Sequence, residues 1–191
     1  MSQDDRRAQR RSQLIAAAIE VYGERGYRQS TVKAVCEAAG LTERYFYESF
    51  ANSEDLLIAS YNAVTYSVFG EIRESATAGG DATERARAML RTYFTALQRD
   101  PRSARVFLVE IRGVSRAVDK AFDASLRAIG EQVSRIAGPQ GAEPDPLLQA
   151  GVVGGVIHIA LRWIEDGYTP GIDSVIDSAM RLVMVDAKTG A

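Results

Sequence analysis

Residues 30–50 read Ser30-Thr31-Val32-Lys33-Ala34-Val35-Cys36-Glu37-Ala38-Ala39-Gly40, then Leu41-Thr42-Glu43-Arg44-Tyr45-Phe46-Tyr47-Glu48-Ser49-Phe50. Val32, Val35, Ala38 and Ala39 recur at helical spacing, and Ser30 or Thr31 precedes them as a cap. Gly40 breaks that helix, and Thr42 caps the next one, which runs through Tyr47 or Ser49. Two short helices meeting at the tight turn Gly40-Leu41-Thr42 have the anatomy of a helix-turn-helix. At about 100° per residue, Phe46 and Phe50 mark one buried face of the second helix. Arg44, Tyr45, Tyr47 and Glu48 then point away from it. A short helix that exposes an arginine and two tyrosines needs a partner for that face. In a helix-turn-helix the start of the second helix enters the major groove of DNA. There Arg44 reaches guanine O6 and N7, Tyr45 packs on a thymine methyl, and Tyr47 reaches a phosphate. Thr31 and Thr42 sit at helix N-termini, where free N–H groups attract phosphate. With Lys33, Glu43 and Ser49 these residues make the candidate DNA-binding set.

Working outward, the helical period continues. From Arg6 to Arg25, the positions Arg11, Leu14, Ile15, Ala18 and Tyr22 fall on one face, and Gly26 ends the helix in a left-handed conformation. Asn52-Ser53 caps a fourth helix to about Ser75, with Glu54 and Asp55 in its first turn. Further helices are predicted at Asp81–Gln98, Arg102–Ile111, Ser115–Ala137, Pro146–Asp166 and Ile172–Ala187. Residues 77–80 and 138–144 read as loops, and all five prolines fall at joints or first turns. No alternating strand pattern persists. The chain is predicted to be all-α with about nine helices.

Composition narrows the function. At 191 residues and 46% hydrophobic, the chain is long enough for a sizeable core without disulfide or metal staples. Cys36 is its only cysteine, which fits a reducing cytoplasm. His158 is its only histidine, so a catalytic zinc, which needs about three N, S or O ligands, has little to draw on. Gly155 stands three before His158, where a helical di-iron site needs an acidic residue. Neither a phosphate-binding Gly-x-x-x-x-Gly-Lys loop nor a Gly-x-Ser-x-Gly elbow is present. No catalytic residue, metal or cofactor is expected. The start lacks the apolar core of a signal peptide. The longest uncharged stretch, Pro146 to Leu161, has 16 residues, short of the roughly 18 that suggest a membrane span. The net charge of −2 hides an asymmetry. Residues 1–53 carry eight basic against seven acidic side chains, and the remainder 15 against 18. Arg6, Arg7, Arg10 and Arg11 form a basic N-terminal arm, read evenly as a solvated helix start or as a DNA contact.

Residues from about Leu14 to Leu57 resemble the DNA-binding domain of the TetR family of transcriptional regulators. The residues that carry the likeness are Tyr22-Gly23-Glu24-Arg25-Gly26-Tyr27, Ser30-Thr31-Val32, Ala38-Ala39-Gly40-Leu41-Thr42, Tyr45-Phe46-Tyr47-Glu48-Ser49-Phe50 and Glu54-Asp55-Leu56-Leu57. The remaining two thirds match only in length and helix count. The chain departs from the family at Ser53, where a phosphate-binding lysine is common, and at Cys36, where a small aliphatic residue is usual.

The resemblance implies a DNA-binding domain over residues 1–52, a linking helix over 53–75, and a ligand-binding and dimerisation domain over 53–191. It implies a homodimeric repressor that holds a palindromic operator until a small molecule binds. The family packs its middle helices around the effector, which makes Tyr66, Phe69, Tyr93, Phe94, Phe107 and Arg112 the candidate pocket. Their aromatic walls suit a hydrophobic organic effector, aromatic or acyl. It also implies that the last two helices form a four-helix bundle with a second subunit. Gly151, Gly154 and Gly155 fit close helix approach independently, since each costs about 1 kcal/mol in a helix. Val152, Gly155, Val156, Ile159 and Trp163 are the candidate interface. A rival reading, a small-molecule carrier that has lost operator binding, rests on Ser53 alone. Cys36 reads as a buried small hydrophobe and His158 as an interface residue.

Overall fold

The computed structural model describes residues 2–76, 80–137 and 145–189. Among these, nine α-helices follow one another without a strand. They are α1 (Gln3–Arg25), α2 (Val32–Ala39), α3 (Glu43–Tyr47), α4 (Ser53–Ser75) and α5 (Ala82–Arg99). Then come α6 (Pro101–Arg105), α7 (Arg116–Ala137), α8 (Pro146–Glu165) and α9 (Ile172–Thr189). The all-α expectation is met. The expected loop at 138–144 lies outside the described residues, as do residues 77–79 of the other.

Local chemistry sets the helix ends. Helix α1 begins three residues before the expected Arg6 because Ser2 and Asp5 form a capping box. The Ser2 hydroxyl accepts from the Asp5 amide at 3.0 Å, and the Asp5 carboxylate accepts from the Ser2 amide at 2.7 Å. At the other end Gly26 adopts φ 86° and ψ 146°. That is the positive φ expected of a terminal glycine, but with an extended ψ in place of the left-handed helical one. The chain therefore passes directly into a 3-10 turn at Tyr27–Gln29.

One expected helix is not uniform. Asp100 caps α6 by accepting from the Ser103 amide at 3.1 Å, and Pro101 occupies its first turn. Beyond Arg105, however, residues Val106–Glu110 form a π-turn. Such a turn is rare, and it widens the helix by one residue. Val106, Phe107 and Leu108 are consecutive and all buried, while Val109 is exposed.

By packing the chain divides into two compact units, Met1–Ser67 with Asp100–Asp119, and Val68–Arg99 with Lys120–Ala191. Helices α4 and α7 contribute to both. In the first unit Leu14, Tyr22, Val35, Phe46, Leu57 and Tyr61 form a core. Phe107 stacks on Tyr61 with ring centroids 5.6 Å apart and planes 10° off parallel. Gly23 lets α1 and α6 touch at the backbone: a Cβ there would lie 2.6 Å from Arg102 Cβ and 2.7 Å from Arg102 Cα and O. In the second unit α5 and α8 both pack against α9. Its core includes Phe94, Leu97, Ala160, Trp163 and Ile176. Paired charges bind α5 to α9 at the surface, Arg87 with Asp177 at 2.7 Å and Arg91 with Asp173 at 2.6 Å.

Candidate nucleic-acid interface

The turn between α2 and α3 depends on Gly40, which adopts φ 65° and ψ 30° with nothing near its would-be Cβ. Glycine is needed there for its left-handed backbone rather than for space. The Gly40 amide donates to the last carbonyls of α2. Thr31 caps α2 through its hydroxyl, which accepts from the Ala34 amide at 3.1 Å. Thr42 occupies the capping position of α3, but its hydroxyl makes no capping bond. Phe46 and Phe50 are buried as the wheel requires, with Phe46 fully enclosed. Burial of a side chain that size contributes roughly 2–3 kcal/mol, and it fixes the rotation of α3.

That rotation leaves Thr42, Glu43 and Arg44 exposed, and Tyr47 at 60%. Lys33 and Thr31 on α2 are exposed as well. Among the described residues Lys33 has only a long ion pair with Glu37, at 3.9 Å, and its ammonium group stays exposed. Tyr45 does not stand free as the sequence suggests. It is half-buried, and the Arg10 guanidinium lies 4.3 Å over its ring. Ser49 is half-buried, with its hydroxyl oxygen enclosed and without a hydrogen-bond partner among the described residues.

The N-terminal arginines are partly engaged inside the chain. Arg7 donates to the Glu48 carbonyl at 2.6 Å, and Arg10 donates to the Glu48 carboxylate at 3.4 Å. Arg11 lies 4.9 Å over the Phe50 ring. Three of the four arginines therefore grip the segment that follows α3, a role neither sequence reading assigned to the arm. Ser53, where the family often carries lysine, is also used internally: its hydroxyl shares a hydrogen bond with Tyr27 at 3.0 Å. Asn52, one residue earlier, caps α4 by accepting from the Asp55 amide at 2.9 Å. Cys36 is buried as expected, and that burial pushes its thiol above the ordinary range.

A second contact missed by the sequence reading ties Glu110 to the start of the DNA-facing segment. Its carboxylate accepts from the Tyr27 amide and from Arg105 Nε, both at 2.7 Å, with the side chain only 10% exposed. Arg105 and Glu110 are five apart, the spacing that a π-turn brings onto one face. Next to it, Arg28 donates to the Gly113 carbonyl. Glu110→Ala is expected to lower unfolding free energy by about 1–3 kcal/mol, because it strands a part-buried amide and guanidinium. Glu110→Gln keeps an acceptor and is expected to lose less. Urea denaturation of the two variants beside the wild type measures this.

The remaining sequence-derived sites are placed as follows. Of the candidate pocket, Tyr66, Phe107 and Arg112 belong to the first unit, and Phe69, Tyr93 and Phe94 to the second. Tyr66 is 78% exposed and Arg112 is exposed, so neither forms part of a buried wall. Phe107 is committed to Tyr61. Phe69 is half-buried, while Tyr93 and Phe94 are buried. In the candidate interface, Val152, Gly155, Val156 and Ile159 are half-buried. Trp163 corrects the expectation. It is buried in its own chain, donating from Nε1 to the Pro170 carbonyl at 2.7 Å and meeting Phe94 and Tyr168 edge-on.

Gly155 is corrected too, since a Cβ there would meet Leu182 Cδ1 of the same chain at 2.8 Å. Its close approach within the chain is to α9. Gly151 and Gly154 face open space. The exposed stripe of α8 runs through Leu147, Gly151, Gly154 and His158, roughly 125° around the helix from the stripe read in the sequence. Residues Pro146–Glu165 are also long and apolar enough to cross a membrane by length and composition, with 11% buried. This differs from the reading of the uncharged run, because the helix extends past Leu161 and tolerates Arg162. Among the described residues no cluster of His, Cys, Asp or Glu is placed to hold a metal.

Comparison with known proteins matches residues 14–60 to the model of the bacterial regulatory proteins of the tetR family. Over 179 residues the chain is 24% identical to the HTH-type transcriptional activator FasR of Mycolicibacterium smegmatis, covering 92% of this chain and 81% of the relative. Its backbone is similar to that of the fatty acid degradation regulator FadR from Bacillus halodurans, with a TM-score of 0.76 at 22% identity, covering 91% and 93% of the two chains. It is also similar to FadR from Bacillus subtilis, solved in complex with stearoyl-CoA, with a TM-score of 0.72 at 22% identity over 90% and 96%.

Proposed function

We propose that the chain, whose residues 14–60 match the tetR family model, is a DNA-binding transcriptional regulator of that family and acts in the bacterial cytoplasm as a homodimeric repressor. In this reading it holds a palindromic operator and leaves it when a long-chain acyl thioester binds. Residues 1–52 carry the DNA contacts, and residues 53–191 carry the effector and dimer functions. The observation that bears most weight is the exposure of Arg44, Tyr47 and Lys33 on the two helices that meet at the Gly40 turn. Arg44 reads a guanine, Tyr47 and Lys33 hold phosphates, and Thr31, Thr42, Glu43, Tyr45 and Ser49 complete the surface.

The acyl thioester is supported by the stearoyl-CoA bound to the FadR of Bacillus subtilis. Phe69, Tyr93 and Phe94 of the second unit supply apolar surface of the right kind. The activator name of the FasR relative fits the same DNA chemistry. Whether a bound regulator raises or lowers transcription depends on where its operator lies against the promoter.

The test begins with selection from a pool of random duplexes. The wild type is expected to enrich a two-fold symmetric site, with half-sites about one helical turn or a multiple apart. Arg44→Ala is expected to lose about 1–3 kcal/mol and relax preference at one base pair per half-site. Lys33→Ala weakens all duplexes more evenly and flattens the salt dependence. A wild-type protein that enriches no site at low salt overturns the reading.

Titrating the selected complex with stearoyl-CoA is expected to lower operator affinity by about 1–3 kcal/mol, with operator weakening acyl-CoA binding equally. Phe69→Ala and Tyr93→Ala are expected to keep operator affinity and dull that response. Operator affinity that does not move with saturating acyl-CoA removes the acyl thioester from the proposal.

A further inference from the structure

We propose that Glu48 is a positioning residue for base recognition, orienting Arg44 toward DNA from a seat built by α1. The inference rests on the reading of Arg44 as a base contact. Glu48 follows α3 and faces three guanidinium groups. Its Oε1 accepts from Arg44 Nε at 3.2 Å, its Oε2 from Arg10 at 3.4 Å, and its backbone carbonyl from Arg7 at 2.6 Å. The Arg44 side chain is otherwise 85% exposed.

A lone i, i+4 ion pair on a surface contributes little to stability. Its interest here is directional. Arg44 is held by Nε, so the end-on N–H group of each terminal amine is left pointing away from Glu48. Those two amines are a fork of the kind that meets guanine O6 and N7. Arg10 bonds the carboxylate that does the holding, Arg7 bonds the backbone carbonyl of the same residue, and Arg10 also covers the Tyr45 ring. The N-terminal segment of α1 therefore sets the geometry of a side chain 34 residues or more along the sequence.

The charge argues the same way. A carboxylate on a DNA-facing surface opposes the phosphates and lowers affinity for any duplex. Its removal is thus expected to have two effects of opposite sign. Discrimination at the Arg44 base pair falls, while affinity for unrelated DNA holds or rises. A residue that only stabilised the fold would weaken both together.

The experiment uses the full-length chain and the site that the wild type selects from random duplexes. Binding is measured to that site, to the same site with the Arg44-dependent base pair changed, and to a scrambled duplex. Glu48→Ala is expected to cut the preference for the correct base pair by about fivefold to tenfold, part of what one bidentate arginine–guanine pair supplies. Affinity for the scrambled duplex stays or rises. Glu48→Gln, which keeps an acceptor for Arg44, recovers part of the preference. Arg10→Met, which keeps the apolar stem over Tyr45, loses part of it and serves where Glu48→Ala does not fold. In the Arg44→Ala background, Glu48→Ala has no further effect on that base pair. If Arg44→Ala abolishes the preference but Glu48→Ala and Arg10→Met leave it intact, the proposal is overturned and the reading of Arg44 stands. If Arg44→Ala changes no preference, or the wild type selects no site, both fall.

Discussion

Replacing Gly23 with alanine is expected to lower the melting temperature by about 2–12 °C. A Cβ at this position would lie 2.6–2.7 Å from the Cβ, Cα and carbonyl oxygen of Arg102. Two of those three atoms are backbone, so no side-chain rotation relieves the clash. Helix α6 must move off α1, and overpacking of this kind costs about 1–3 kcal/mol. For a chain this size each kcal/mol shifts the midpoint by roughly 2–4 °C. Valine at the same position is expected to cost more. Gly70 on α4 is the control: nothing lies within 4 Å of its would-be Cβ, so alanine there is expected to be neutral or stabilising by up to about 1 kcal/mol. The measurement is thermal unfolding by circular dichroism, at one protein concentration because assembly also shifts the midpoint. Equal midpoints for Gly23→Ala and wild type would show that α1 and α6 do not meet at the backbone.

Gly154→Glu is expected to split the proposed dimer and to weaken operator binding by about 100-fold to 10,000-fold, the advantage that tethering two half-site contacts provides. The position is exposed, faces open space and lies mid-helix on the apolar stripe of α8. Glutamate is a better helix former than glycine, so the chain itself is not weakened. An unpaired carboxylate driven into an apolar interface is what separates the subunits. Gly155→Leu is expected to behave differently. Leucine at that position clashes with Leu182 inside the chain, so it destabilises folding first. Sedimentation at micromolar concentration separates the cases: dimer for wild type, folded monomer for Gly154→Glu, and a less stable protein for Gly155→Leu. A wild-type chain that sediments as a monomer removes the dimer assignment, and α8 then needs another cover for its apolar stripe.

Much of this was legible along the chain because it is local. The Gly40 turn, the Thr31 and Asn52 caps, and the burial of Phe46 and Phe50 each depend on residues within about four positions. Backbone sterics and helical periodicity act over that range. The all-α class and the exposure of Arg44 and Tyr47 follow from the same rules. The tertiary structure alone decided the contacts that span the sequence. Glu48 meets Arg7 and Arg10 across 41 and 38 residues, and Glu110 meets the Tyr27 amide across 83. An ion pair between distant residues leaves no period to read, because either partner alone looks like any solvated charge. The same holds for α8. Its composition marks an apolar helix, but one nearly apolar all round does not say which stripe its own chain will cover. Packing against α9 claimed Gly155, while Phe94, Tyr168 and Pro170 enclosed Trp163, and Gly151, Gly154 and His158 were left outside.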